Sequence, residues 1–101
     1  MPTVRFYPAW KEEKILLWKA KLEVTLKKEV HDPQGSAVEN SLRSLGYEEV
    51  QRVRVGKFLE VELEAPDQNE AVRLVEEMSR RLLANPVIED YSYTLEEVLR
   101  Q

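Results

Sequence analysis

The stretch His31-Asp32-Pro33-Gln34-Gly35 puts the one histidine of this 101-residue chain beside a carboxylate, the kind of neighbourhood from which proton-transfer or nucleophilic chemistry is built. The residues around it argue against that chemistry. No cysteine is present to act as a nucleophile, and Asp32 has a competing role. Ahead of Pro33 it reads as a helix N-cap whose carboxylate accepts from first-turn amides, with proline at the first helical position, where a missing N–H is harmless. His31 is left without a partner acid for a triad and reads as a solvated loop residue. No metal-ligand spacing and no phosphate-cradling glycine loop occurs elsewhere.

Capping explains Asp32 and Pro33 but not Gly35, because glycine inside a helix costs about 1 kcal/mol relative to alanine. Its presence predicts that another backbone, a partner subunit or a ligand comes close to the first helical turn. Asp32, Pro33, Gln34 and Gly35 are therefore candidate contact residues. By propensity alone, Gly35→Leu is expected to leave the fold intact. Arg54, Gly56 and Lys57 flank a central turn, where they are placed either to meet a subunit or a nucleotide phosphate or simply to form a solvated hairpin. Asn85-Pro86 is first a helix stop and second a further contact candidate.

The elements that must position these residues are legible from periodicity. Trp18, Ala20, Leu22, Val24 and Leu26 alternate strictly with polar residues, which predicts a strand over 18–27 with one buried face. Val38, Leu42 and Leu45 recur at helical spacing from Pro33 to Leu45, with Gly46 where a C′ glycine belongs. Val53 and Val55 share parity with Leu59, Val61 and Leu63, which predicts a hairpin with an odd-length turn, or a bent strand, at Gly56-Lys57. Asp67 and Glu70 have the spacing of a capping box for a helix burying Ala71, Leu74, Val75, Met78 and Leu82. Val87 to Thr94 reads as the last strand, and Thr94-Leu95-Glu96-Glu97 as the cap of a short C-terminal helix.

Leu22-Glu23-Val24-Thr25-Leu26 before Ala37-Val38 is echoed by Leu59-Glu60-Val61-Glu62-Leu63 before Ala71-Val72. The repeat predicts two β-α-β units and hence an α+β, ferredoxin-like β-α-β-β-α-β sandwich, an antiparallel sheet with both helices on one face. Trp18, Phe58, Tyr91 and Tyr93 are the aromatics available to the helix-free face or its edges, which predicts self-association through the sheet. Glu60, Glu62 and Glu64 form one polar strand face. Residues 1–16 are an N-terminal extension, either an extra edge strand or a frayed arm, residues 17–94 the domain proper, and 95–101 a helical tail.

With 19 acidic and 15 basic side chains the chain carries a net charge of -4, a field that repels nucleic acid and anionic membrane. No apolar run approaches the ~20 residues of a membrane span, and the N-terminus lacks the order of a signal peptide, so the expected setting is the cytoplasm. A chain of this length buries roughly 65% of its unfolded surface, enough for one core without disulfides.

The runs Val24-Thr25-Leu26-Lys27, Asp32-Pro33-Gln34-Gly35 and Ser44-Leu45-Gly46-Tyr47 resemble the small PurS subunit of phosphoribosylformylglycinamidine synthase. The likeness continues in Val53-Arg54-Val55-Gly56-Lys57 and in Leu83 to Tyr91, and covers roughly 17–94. The resemblance implies a non-catalytic subunit of purine biosynthesis with no cofactor of its own. In that family a glutaminase subunit releases ammonia from glutamine, and a synthetase subunit uses ATP and magnesium to convert formylglycinamide ribonucleotide to the amidine. The small subunit bridges the two, and the association expected through the sheet makes this chain a homodimer or dimer of dimers. A small-molecule-binding regulatory domain with an effector at the Asp32–Gly35 turn is the alternative. An RNA-recognition module fits poorly, because Glu60 and Glu62 lie beside Phe58 on a central strand. An acylphosphatase-like enzyme lacks its anion-binding arginine loop, since Lys28-Glu29-Val30-His31 follows the first strand.

Overall fold

The computed structural model describes residues 15–99. Its centre is β1 (Leu16–Leu26), the strand with strict alternation, flanked by β2 (Gly56–Ala65) and β3 (Glu89–Val98) in the order β2-β1-β3. Both pairings are antiparallel, with Leu22 opposite Leu59 on one side and Tyr93 on the other. Because side chains alternate across a strand, this register sorts the sheet into two chemically different faces. Trp18, Ala20, Leu22 and Val24 are buried on one face. On the other, Lys19 lies 3.8 Å from Glu60 and 4.0 Å from Glu62, and Lys21 lies 3.7 Å from Glu96.

This sorting corrects the expectation of an aromatic helix-free face. Trp18 is in the core, where its indole N–H donates to the Ala65 carbonyl at 3.1 Å. Tyr91 and Tyr93 share the face of Val24 and Leu22 and pack against their cluster. Of the four aromatics, only Phe58, opposite Glu23, has the parity of the open face. A charged ladder is not a surface that apolar association would cover, so the argument for pairing through the sheet fails.

The helix α2 (Gln68–Met78) starts as its capping spacing predicts, Asp67 Oδ1 accepting from the Glu70 amide at 2.8 Å. Ala71 and Val75 are buried against the sheet. The next turn widens into a π-helical turn, Ser79–Leu83, closed by the Ala84 amide donating to the Ser79 carbonyl at 2.9 Å. The wider turn moves the buried stripe one position along. Ala84 is buried and Leu83 packs against the same cluster, while Leu82, expected in the core, is 82% exposed. A side-chain clamp fixes the helix to β3, with Glu76 accepting from the Tyr91 hydroxyl at 2.7 Å and the Tyr93 hydroxyl at 2.9 Å.

The helix α1 (Pro33–Ser44) ends in a Schellman arrangement, the Tyr47 amide donating to Leu42 O and the Gly46 amide to Arg43 O, each at 3.0 Å. Gly46 has φ 101°, the left-handed conformation that suits glycine at this position. Unlike α2, this helix has little contact with the strands, and Val38 and Leu45 are exposed.

The ferredoxin-like α+β reading holds, with two departures in its elements. Three strands are paired among the described residues, where the β-α-β-β-α-β order calls for four. Residues 51–55 lie outside the sheet, so there is no hairpin at Gly56-Lys57 and β2 begins at Gly56 itself. The C-terminal helix is also absent. Leu95 pairs with Ala20, Glu97 with Trp18 and Val98 with Leu17, so the ladder with β1 outweighs the local capping box, and β3 runs through the segment expected to be a tail. The edge strand or arm expected before residue 15 lies outside the described residues.

Two consequences are measurable. The fully buried Ser79 Oγ has no hydrogen-bond partner among the described residues, so Ser79→Ala should raise unfolding stability in urea by about 1 kcal/mol, from an unsatisfied hydroxyl removed and a better helix former gained. The shared Glu76 hydrogen bond raises the Tyr91 hydroxyl pKa, and burial followed by the same bond raises that of Tyr93. Glu76→Ala should therefore shift the ultraviolet tyrosinate titration of two tyrosines to lower pH. A raised tyrosine pKa contributes stability that is present below the ordinary value and lost as pH rises through the folded one, so the variant should also lose less stability over that alkaline limb.

Candidate partner-contact site

β1 ends where β2 and β3 begin, which brings three distant stretches to one end of the sheet. Asp32, the N-cap of α1, sits at the junction. Its Oδ1 accepts from the Gly35 amide at 2.9 Å and its Oδ2 from the Val55 amide at 2.9 Å. These two backbone donors, Gly35 first and Val55 next, hold the Asp32 carboxyl below its ordinary pKa, and the nearby Arg54 charge acts in the same direction. With both oxygens occupied, Asp32 does not orient His31, which is exposed.

The same junction explains Gly35. A Cβ there would lie 2.3 Å from the Val53 carbonyl oxygen and 2.5 Å from Asp32 Oδ2. The backbone that approaches this helical turn is thus the chain's own segment 51–55. The tolerance expected for Gly35→Leu is overturned, because propensity counts only the helix and not the carbonyl packed against it. Gly56 is constrained in the same way by the β1 backbone, a Cβ there meeting Val24 O at 2.4 Å.

Segment 51–55 is held by side chains instead of by a strand partner. The Val53 amide donates to Glu39 Oε1 at 3.3 Å, and Arg43 donates to Val50 O at 3.0 Å while pairing with Glu39 at 3.1 Å. The Arg54 guanidinium donates to the Leu26 carbonyl at the end of β1. Glu39 and Arg43 escaped the sequence reading. Their one visible signal was an i, i+4 acid–base pair on the polar side of α1, which by itself means only helix support.

Lys57 and the Asn85-Pro86 turn join this end through Glu89, also missed. Glu89 Oε2 lies 3.7 Å from Lys57 Nζ, and its Oε1 accepts from the Asn85 amide at 2.7 Å. Asn85 Oδ1 in turn accepts from the Val87 amide at 3.0 Å, a side-chain turn that stops the helical segment as expected. Asp32, Pro33, Gln34, Gly56, Lys57 and Glu89 line an open cleft of about 400 Å³. Pro33, Gln34, Gly56, Lys57, Asn85 and Pro86 are exposed, Gly35 is buried and Asp32 half-buried. No cluster of three or more histidine, aspartate and glutamate side chains suited to a metal ion occurs among the described residues.

The double role of Asp32 makes a differential prediction. Asp67→Ala removes a cap alone and should cost about 1 kcal/mol. Asp32→Ala removes a cap and the Val55 anchor together, so thermal melts should show a larger fall in Tm. A carboxyl whose pKa is lowered by folding contributes stability above its ordinary value and loses it as pH falls through the folded one, so the effect of Asp32→Ala should shrink in acid. Gly35→Ala should destabilise by about 1–3 kcal/mol through overpacking against Val53.

A family model described as PurS, phosphoribosylformylglycinamidine (FGAM) synthase, matches residues 19–97. The phosphoribosylformylglycinamidine synthase subunit PurS of Bacillus subtilis is 53% identical over 85 residues, which are 84% of this chain and 100% of the relative. The crystal structure of Methanocaldococcus jannaschii PurS superposes with a TM-score of 0.72 at 34% identity, covering 81% of this chain and 99% of that one. A chain in the structure of PurLQS from Thermotoga maritima superposes with a TM-score of 0.71 at 33% identity, covering 81% of this chain and 98% of its own. Alike in sequence, in fold and over nearly the full length of these relatives, the chain belongs to the PurS family of FGAM synthase.

Proposed function

We propose that the chain is the non-catalytic small subunit of an FGAM synthase in cytoplasmic purine biosynthesis. It joins a glutaminase subunit to a synthetase subunit, so that ammonia released from glutamine reaches the ATP- and magnesium-dependent conversion of formylglycinamide ribonucleotide to the amidine. ATP, magnesium and glutamine are held by the larger subunits. One observation carries this reading beyond family membership. At the gathered end of the sheet, the groups that would do chemistry are committed to one another, Asp32 to two amides and Glu89 to Lys57 and Asn85. The tips formed by Pro33, Gln34, Lys57 and Pro86 remain exposed. A preorganised polar surface of this kind suits docking. That a Thermotoga maritima relative occurs in a structure of PurLQS supports the same reading.

The chain acts as a homodimer or a dimer of dimers. The support comes from α1, where Val38 is 42% and Leu45 74% exposed, an apolar stripe that the chain's own sheet leaves uncovered. Among the described residues no helix is long and apolar enough to cross a membrane.

Reconstitution tests the proposal. The purified chain should have neither glutaminase nor synthetase activity, and adding it to the two larger subunits should restore glutamine-dependent turnover while ammonia-dependent turnover needs it less. Lys57→Gln, which removes an exposed charge without setting a like charge beside Glu89, should lower Tm only slightly and weaken restoration. Full coupling without the chain would exclude bridging. Tight calorimetric binding of an amino acid or nucleotide to the isolated chain would favour an effector-binding regulatory domain instead.

A further inference from the structure

Most basic side chains among the described residues lie within 4.0 Å of an acid, and Arg54 donates to the Leu26 carbonyl. Lys27, Lys28 and Arg52 have no such partner among the described residues. Lys28 and Arg52 meet His31 around an open cleft of about 270 Å³, bounded by the loop after β1, the start of α1 and segment 51–55. All three side chains are exposed. The Val30 amide, donating to the Lys27 carbonyl at 2.9 Å, turns the loop, and the Asp32–Val55 and Glu39–Val53 hydrogen bonds draw residue 52 across from it. The acids of the cleft are placed differently. Asp32 and Glu39 are half-buried and committed, the first to two amides and the second to Arg43 and the Val53 amide. Glu29 is exposed and has no partner among the described residues.

We infer that Lys28, His31 and Arg52 dock carboxylates on an acidic surface of one of the larger subunits, an inference that rests on the bridging role proposed above. The chain as a whole carries a net charge of -4, so unmatched cations gathered at one cleft form a patch opposite in sign to the rest of the molecule. Such a patch attracts an acidic surface locally and fixes its orientation, while the remaining surface repels it. The depth of the charges selects the occupant. A free phosphate entering the cleft would meet the half-buried Asp32 and Glu39 carboxylates, whereas side-chain carboxylates on a partner's surface meet the exposed cations first. Asp32 also lines the neighbouring cleft of Gln34 and Lys57, so the patch is continuous with the candidate contact site.

Association of the full chain with the glutaminase and synthetase subunits, followed by biolayer interferometry over a range of sodium chloride concentrations, tests the inference. A double variant, Lys28→Gln with Arg52→Gln, should associate about tenfold more slowly at low ionic strength. Glu29→Gln, which removes the unpartnered acid of the cleft, should associate faster than the unaltered chain. Both differences should fade toward about 1 M salt, where the screening length is about 3 Å. The substituted side chains are exposed and unpartnered among the described residues, so the melting transitions of the variants should match that of the unaltered chain. Equal association rates for all three chains, or changes of the same sign in both variants, would overturn the inference and leave bridging standing. Saturable shifts of the His31 ring resonances on adding inorganic phosphate to the chain alone would assign the cleft to a free anion and overturn it as well. An unaltered chain that neither associates nor restores glutamine-dependent turnover would remove the bridging role and the inference with it.

Discussion

A single carboxylate ties α1 and segment 51–55 together at one end of the sheet. Asp32 ends the loop after β1, caps α1 through the Gly35 amide and anchors segment 51–55 through the Val55 amide. Were Val55 paired in a strand ladder, that second oxygen would only need a water. Here it substitutes for a strand, and the close approach it enforces leaves no room for a side chain at position 35. The helix start, the loop and the entry to β2 are therefore coupled. Anything that loosens one of them moves the exposed tips around the cleft.

The other half of the molecule is built by different means. α2 is fixed by burial of Ala71 and Val75 and by the Glu76 clamp on two tyrosines of β3, a polar contact made at the edge of an apolar one. Hydrogen bonds to a charged acceptor are stronger than neutral ones, and two donors on one carboxylate fix both the position and the rotation of the helix. α1 has no such tie to the sheet, and its ties run to segment 51–55 through Glu39, Arg43 and Asp32. The two helices thus differ in how far they can shift relative to the strands.

The polarity of the sheet gives the domain one charged face. Lys19 and Lys21 sit amid Glu60, Glu62 and Glu96 on the open face, a ladder of opposite charges that is satisfied in water and discourages stacking of sheet on sheet. Outside that face, exposed apolar side chains lie on α1 and on the flank of α2. Each of these presents exposed groups next to a rigid element.

Much of this was legible in the sequence. The period of two in β1, the Asp32-Pro33 and Asp67 to Glu70 caps, Gly46 as a C′ residue and Asn85-Pro86 as a stop are local signals, governed by backbone sterics and nearest-neighbour hydrogen bonds, and they came out as read. Gly35 was legible as an anomaly, though not its cause. What only the tertiary structure decided were matters of competition between distant groups. The C-terminal capping box lost to a ladder against β1, and the alternation of Val53 and Val55 served side-chain carboxylates instead of a hairpin. Leu82 left the core because one widened turn shifted the stripe, a one-residue change in phase that no window of periodicity resolves. The sequence by itself determined which segments prefer which local conformation. The choice among partners for their amides and apolar faces depended on contacts far apart along the chain, whose energies local propensities of a few tenths of a kcal/mol do not override.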